Sequence, residues 1–183
     1  MNKSRRQETE GRRQRVEGRR QKAGGRSLKA GLTHVDPSGR IRMVDVSGKA
    51  STTREAIARG RITMSADAVR QVRAGGMKKG DPLETARLAG IMAAKQTSSL
   101  IPLCHPLPIS HADVRLMPIA RGYDIEARVR TTAPTGVEME ALTAVAVAAL
   151  TVYDMVKAID RAMVIGDIRL MTKTGGKSGA WTR

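Results

Sequence analysis

Phenylalanine is absent from this 183-residue sequence, and there are only one tryptophan and two tyrosines. A core must therefore be filled by Ala, Val, Ile, Leu and Met. With so little aromatic bulk, close helix packing and subunit association are the ways left to bury more surface. Cysteine occurs once, which excludes an intramolecular disulfide framework. The three histidines, His34, His105 and His111, do not stand at metal-ligand spacing with Cys104, which argues against a structural zinc site. No uninterrupted apolar run approaches the roughly 18 residues that span a membrane. The first residues lack the apolar stretch of a secretion signal. Glu8, Glu10 and Glu17, with no apolar face beside them, argue against a mitochondrial presequence. The expected setting is a reducing cytoplasm, away from membranes.

Acidic residues are outnumbered 17 to 33, a net charge of +16. Residues 1–29 hold 11 of the Lys and Arg and 3 of the acids, so half the surplus sits in the first sixth of the chain. This opening stretch is too polar to offset its ordering entropy, and residues 1–30 are expected to form a disordered basic arm. Residues 31–183 are expected to form one domain. A basic domain suits an anionic partner, whether nucleic acid, a membrane surface or a phosphorylated small molecule.

Turn and periodicity signals then give a coarse order. Alternation predicts strands over 41–46 and 56–64, with Gly60 weakening the second. Ser65 caps a helix to about Arg73, ended by Gly75-Gly76. Asp81-Pro82-Leu83-Glu84 combines an N-cap, a first-turn proline and a capping Glu, and starts a helix to about Lys95. Strands follow over 109–119 and 123–131. Thr135-Gly136-Val137-Glu138 reads as a capping box that opens a long helix to about Arg161. Its stretch 144–150 is apolar all round, so it is expected to be buried on every side. A last strand covers 163–171. The irregular mixture, β-β-α-α-β-β-α-β, indicates an α+β fold with a mostly antiparallel sheet and helices packed on it.

Chemistry-bearing residues are few. Leu103-Cys104-His105-Pro106-Leu107 is stiffened by Pro106 and Pro108 and belongs to neither helix nor central strand. Lys79 stands just before a helix N-terminus, a place that favours anions. The tail Gly175-Gly176-Lys177-Ser178 is not a P-loop, because Met171 occupies the position of its first glycine, yet such a loop can wrap phosphate oxygens. Asp154 and Lys157 form an i,i+3 pair just past the apolar stretch, expected to be partly buried and able to move protons. Glu140 lies 14 residues before Asp154, on about the same helix face but about 21 Å away at 1.5 Å per residue. One small substrate can hardly touch both in one subunit.

Seven segments occur in order: Met-Val-Asp-Val-Ser (43–47), Lys-Gly-Asp (79–81), Ala-Arg-Leu-Ala-Gly-Ile (86–91), Leu-Ile-Pro-Leu-Cys-His-Pro-Leu (100–107), Gly-Val-Glu-Met-Glu-Ala-Leu-Thr (136–143), Thr-Val-Tyr-Asp-Met-Val-Lys-Ala (151–158) and Lys-Thr-Gly-Gly-Lys-Ser-Gly (173–179). Together they resemble the MoaC family of cyclic pyranopterin monophosphate synthases, of molybdenum cofactor biosynthesis. The resemblance runs from Leu32 to about Gly179 and leaves the basic arm outside. It implies a ferredoxin-like subunit, a homohexamer built as a trimer of dimers, and active sites at subunit interfaces. It implies a lyase that turns 3′,8-cyclo-7,8-dihydroguanosine 5′-triphosphate into cyclic pyranopterin monophosphate and pyrophosphate.

Carried over position by position, the resemblance puts the functional residues on Lys79, His105, Glu138, Glu140, Asp154, Lys157 and Lys173. Leu103, Cys104 and His105 with Glu138, Met139 and Glu140 look like the substrate-binding segments. No motif residue among these is missing, although Lys78 stands where some members have histidine. Asp154 is expected to be the principal acid/base, tuned by Lys157. Lys79 and His105 would serve the cyclisation, and Glu138 and Glu140 the guanine edge or proton relay. Cys104 reads as a packed neighbour rather than a nucleophile. No cofactor is implied, and Mg²⁺ accompanying the triphosphate stays open. The competing readings are a nucleic-acid-binding protein acting through its arm, for which no fold signature appears, and a non-catalytic scaffold.

Overall fold

The structure is a computed structural model that describes residues 38–75, 77, 78 and 80–183. The chain divides into two compact units, Met1–Ile41 and Arg42–Arg183. Of the first only residues 38–41 are described, so the expected arm and His34 lie outside the described residues.

The second unit runs β1 (Thr52–Thr63), α1 (Ala66–Ala74), α2 (Pro82–Lys95), α3 (Thr97–Leu100), β2 (Ile109–Ile119), β3 (Gly122–Ala133), α4 (Glu138–Val156), β4 (Val164–Thr174) and β5 (Trp181–Thr182). The sheet order is β2-β3-β1-β4-β5, and every neighbouring pair is antiparallel. Four long strands in the order 2-3-1-4, with helices filling the two β-to-β crossings, make the expected ferredoxin-like α+β fold. α4 lies across β1, β3 and β4 and packs along α2.

Strand periodicity explains the layering. In β1, Ala56, Ala58, Gly60 and Ile62 are buried, and in β3 Ile125, Ala127 and Val129 share that face. The opposite face of the sheet carries an ion-pair lattice. Arg59 reaches Glu126 at 2.6 Å, Arg61 reaches Asp124 at 2.6 Å, and Glu55 takes both Arg128 and Arg130 at 2.9 and 2.7 Å. Most of these partners face each other directly across the β1–β3 ladder. A register slip would break the pairs and turn the buried set outward, so the lattice specifies pairing more than it stabilises.

The missing aromatic bulk is replaced by proximity. A Cβ on Gly60 would sit 2.6 Å from a methyl carbon of Val145, and one on Gly90 would sit 2.9 Å from the Ala144 carbonyl oxygen. α4 therefore lies almost directly on the backbones of β1 and α2. Gly60 does not weaken its strand so much as admit the helix.

Three expectations are corrected. Residues 42–46 form no strand: Asp45 Oδ1 accepts from the Ser47 N–H at 2.9 Å and from its hydroxyl at 2.7 Å, and the Val44 carbonyl accepts from His105. The capping box at Thr135 does not form. α4 starts at Glu138 after Val137, with no side-chain cap, and ends at Val156 rather than near Arg161. The apolar stretch 144–150 is not buried all round, for Leu150 is 58% exposed. Two short elements, α3 and β5, carry no periodicity and were invisible in the sequence. β5 sets Trp181 opposite Lys173 at the sheet edge.

α4 is also the one helix among the described residues long and apolar enough to cross a membrane. Here it is a core helix, with Glu140 buried in its first turn.

Candidate functional site

The first turn of α4 gathers most of the candidate residues. Glu138 and Glu140 both lie there, where the helix dipole favours carboxylates. The turn lacks a side-chain cap, so its backbone N–H groups depend on nearby acceptors. Glu140 is 4% exposed, and its own backbone N–H hydrogen-bonds its carboxylate. Burial nevertheless pushes its pKa up to about 7, and the charge of Glu138 pushes the same way. Cys104 lies within electrostatic reach. Its half-buried thiol is raised, first by burial and then by Glu140, which makes it a poor thiolate and agrees with a packing role.

Glu138 opens on the other side into a cavity of about 240 Å³. Arg54, Thr135, Lys173 and Ser178 share its lining. Lys173, at the end of β4, donates to the Ser178 hydroxyl across the Gly175–Gly176 turn. Glu55 lines it as well, so two cations and two carboxylates share the cavity; the ammonium, the guanidinium and the hydroxyls are the groups there that suit phosphate oxygens. A larger hollow of about 610 Å³ lies between the end of α1 and the start of α2, but Val72, Met77, Leu83 and Leu116 make its walls largely apolar.

His105 is half-buried, and its Nε2 is 2.8 Å from the Val44 carbonyl oxygen. A carbonyl only accepts, so Nε2 carries the proton and Nδ1 is left as the ring's acceptor. Asp45 feels the charge of His105, although the Ser47 hydrogen bonds do more to hold its carboxyl below the usual range. The 43–47 segment thus orients the histidine, a role its sequence does not reveal.

Asp154 and Lys157 do pair, at 2.6 Å, but on the surface: their side chains are 60% and 50% exposed. The expectation of partial burial is corrected for the isolated chain. Val152, Met155 and Val156 around it stay buried, so α4 remains packed to its end while Asp154, unlike Glu140, points out. α4 is one continuous helix between the two, so their separation of about 21 Å stands. Leu103 is half-buried beside Cys104, and Met139 is 38% exposed next to Glu140. Lys79 lies outside the described residues. One chain therefore unites Glu138, Glu140, Cys104 and Lys173, holds His105 on the 43–47 segment, and keeps Asp154 and Lys157 far along α4.

Two contributors were missed by sequence reasoning. Arg54 becomes visible only once β1 is registered against β3 and β4. Gly136 lies against the Glu138 carboxylate, which a side chain at 136 would push aside.

Glu140 yields a test by pH. Its folded pKa is raised, so the fold prefers its neutral form. That contribution is complete below about 4.5 and is lost as pH rises through about 7. Thermal denaturation from pH 4 to 8 is expected to show a decline on the order of a few kcal/mol across this window. Glu140→Gln is expected to flatten that component, and an unchanged profile in the variant would refute the assignment.

A sequence model of the MoaC family matches residues 43–176. The chain is 61% identical over 154 residues to a Heliobacterium modesticaldum protein named cyclic pyranopterin monophosphate synthase, covering 83% of this chain and 97% of that one. Proteins of the same name from Desulfitobacterium hafniense and Corynebacterium glutamicum are 60% and 56% identical, over 83% and 82% of this chain and 94% and 97% of theirs.

Proposed function

The chain belongs to the MoaC family, and from that we propose that it is a cyclic pyranopterin monophosphate synthase. It converts 3′,8-cyclo-7,8-dihydroguanosine 5′-triphosphate to cyclic pyranopterin monophosphate and pyrophosphate, an early step of molybdenum cofactor biosynthesis. The observation that carries the reading is the first turn of α4. A buried carboxyl poised near neutrality stands there with Glu138, which lines a cavity where Arg54 and Lys173 meet Glu55 and Glu138.

The chemistry follows from what each part supplies. A ribose-derived hydroxyl attacks the α-phosphorus, a P–O bond forms, and the bond to pyrophosphate breaks. The hydroxyl proton goes to a base, and the leaving group needs positive charge. Lys173, with Lys79, supplies that charge, and His105, through Nδ1, is the base. Opening and reclosing the purine-derived ring requires proton exchange, assigned to Asp154 tuned by Lys157. Glu138 and Glu140 take the N–H groups of the guanine edge, and Leu103, Cys104 and Met139 form the wall around it. The reaction calls for no resident cofactor, and any Mg²⁺ arrives with the triphosphate.

Residues 31–183 form the synthase domain in this reading, and the enzyme works in the cytoplasm. Salt-dependent binding of random DNA by the full chain that is lost on removal of residues 1–31, together with absent pyrophosphate release, would favour a nucleic-acid protein acting through its arm instead. The direct test is incubation with the cyclised nucleotide, assayed for pyrophosphate and for pterin fluorescence after oxidation. Absence of both products would reject the reaction.

The site is completed between subunits of a trimer of dimers. The 21 Å between Glu140 and Asp154 supports this, as do exposed apolar residues on the helical layer: Leu88 and Met92, one turn apart on α2, and Leu150 on α4. Mixing Asp154→Ala and Glu140→Ala subunits at equal amounts, each inactive alone, is expected to restore about a quarter of the sites. No recovery after verified exchange would place both residues in one subunit's site.

A further inference from the structure

Arg54 is the third residue of β1 (Thr52–Thr63), opposite Thr131 of β3 and one residue before the Glu55–Thr174 pair with β4. It stands where two site-bearing segments converge. Its guanidinium does not reach for an acid. Nε donates to the Ala133 carbonyl at 2.9 Å and one terminal nitrogen donates to the Pro134 carbonyl at 3.0 Å. These bonds seize the chain just where β3 ends and the turn into α4 begins, four residues before Glu138.

The other side of the same side chain carries the second segment. A Cβ on Gly175 would lie 2.2 Å from the Thr53 carbonyl oxygen and 3.2 Å from Arg54 Cα. A Cβ on Gly176 would lie 2.1 Å from the remaining terminal nitrogen of Arg54. Both glycines have positive φ, 88° and 71°, so the turn is built to lie flat against this residue. Lys173 stands just before that turn and its partner Ser178 just after it.

We infer that Arg54 is a positioning residue that fixes Glu138 relative to Lys173 by clamping the 133–137 turn and the Gly175–Gly176 turn on one guanidinium. The clamp rests on the reading of Glu138 and Lys173 as substrate-binding groups. A planar fork with two fixed donor directions is needed to hold two successive carbonyls. An ammonium is a point charge and cannot hold both carbonyls while supporting a backbone turn on its face. Lysine is therefore a poor replacement here despite its equal charge.

The experiment uses the full chain as wild type, Arg54→Lys, Arg54→Ala and Gly176→Val, the last pressing on the clamp with Arg54 in place. Hydrogen exchange read by mass spectrometry is expected to quicken together in 133–140 and 173–180 in all three variants, while 109–119 stays unchanged. With the cyclised nucleotide, kcat for pyrophosphate release is expected to fall about 100-fold in Arg54→Ala and Arg54→Lys, the scale of a catalytic group displaced by about 1 Å, with a much smaller change in KM. Guanidinium ion at non-denaturing concentration is expected to recover part of the rate in Arg54→Ala but not in Arg54→Lys, where the ammonium fills the space. A merely destabilised fold would not respond to guanidinium in this selective way.

Arg54→Lys with wild-type kcat and exchange overturns the inference. So does loosening of only one of the two segments. Coordinated loosening with no turnover in any form, wild type included, upholds the clamp and rejects the proposed reaction.

Discussion

Asp154→Ala is expected to lower kcat for pyrophosphate release by about 10²- to 10⁴-fold, the range general acid–base groups supply, while thermal stability hardly moves. The contrast comes from where the residue sits. Its ion pair with the i,i+3 neighbour Lys157 lies on the surface, and both side chains are at least half exposed. Exposed pairs of this kind contribute at most about 1 kcal/mol and often nothing measurable. A structural role therefore leaves little to lose, and a large kinetic effect must come from chemistry or from a surface that covers this end of α4. The decisive measurement is kcat together with the melting temperature and the oligomeric state. Full turnover in an intact oligomer would remove Asp154 from the mechanism. A collapsed oligomer would recast it as an interface residue.

Gly90→Leu is expected to cost about 3 kcal/mol, the upper end for forced overpacking, and to lower the melting temperature by about 10 °C for a domain of this size. The first carbon of any side chain at position 90 would already lie 2.9 Å from the Ala144 carbonyl oxygen, 3.2 Å from a Val114 methyl carbon and 3.3 Å from Ala148 Cβ. Backbone on one side and fully buried side chains on the other leave no soft neighbour to give way. Gly90→Ala should be milder, because alanine recovers up to about 1 kcal/mol of helix propensity. Calorimetry on the pair separates the two contributions. Equal melting temperatures for Gly90→Leu and wild type would show that α2 is free to move off α4.

Much of this architecture was written in local signals. Asp81 caps α2 through the Leu83 and Glu84 N–H groups, as its place before Pro82 predicted. Ser65 caps α1 through Ala68. β3 alternates because one face meets helices and the other meets the ion-pair lattice. What failed was decided at a distance. Thr135 and Glu138 have the spacing of a capping box, but the helix begins only at Glu138, after a turn whose Ala133 and Pro134 carbonyls are held by Arg54, some 80 residues earlier. Residues 41–46 alternate like a strand, but Asp45 turns onto Ser47 and Val44 serves His105.

The candidate site divides the same way. The chemical identity of Glu138, Glu140, His105 and Lys173 was legible from the motifs. The depth of each was not. Glu140 and Asp154 share a helix face by spacing, yet one is 4% exposed and the other 60%. Val152, Met155 and Val156 stay buried around Asp154, so depth depends on which distant neighbours reach each side chain, which no local period encodes.

Trp181 has a practical consequence. It is the sole tryptophan, it stands opposite Lys173 on the adjacent strand, and it is 42% exposed. The aromatic poverty that forces backbones together also leaves the protein optically quiet. Its ultraviolet emission thus comes almost wholly from one indole on the strand paired with Lys173, a built-in fluorescent gauge. An anion that draws the Lys173 ammonium away from Ser178 changes the field at that indole, so occupancy can be followed in real time without attaching a dye.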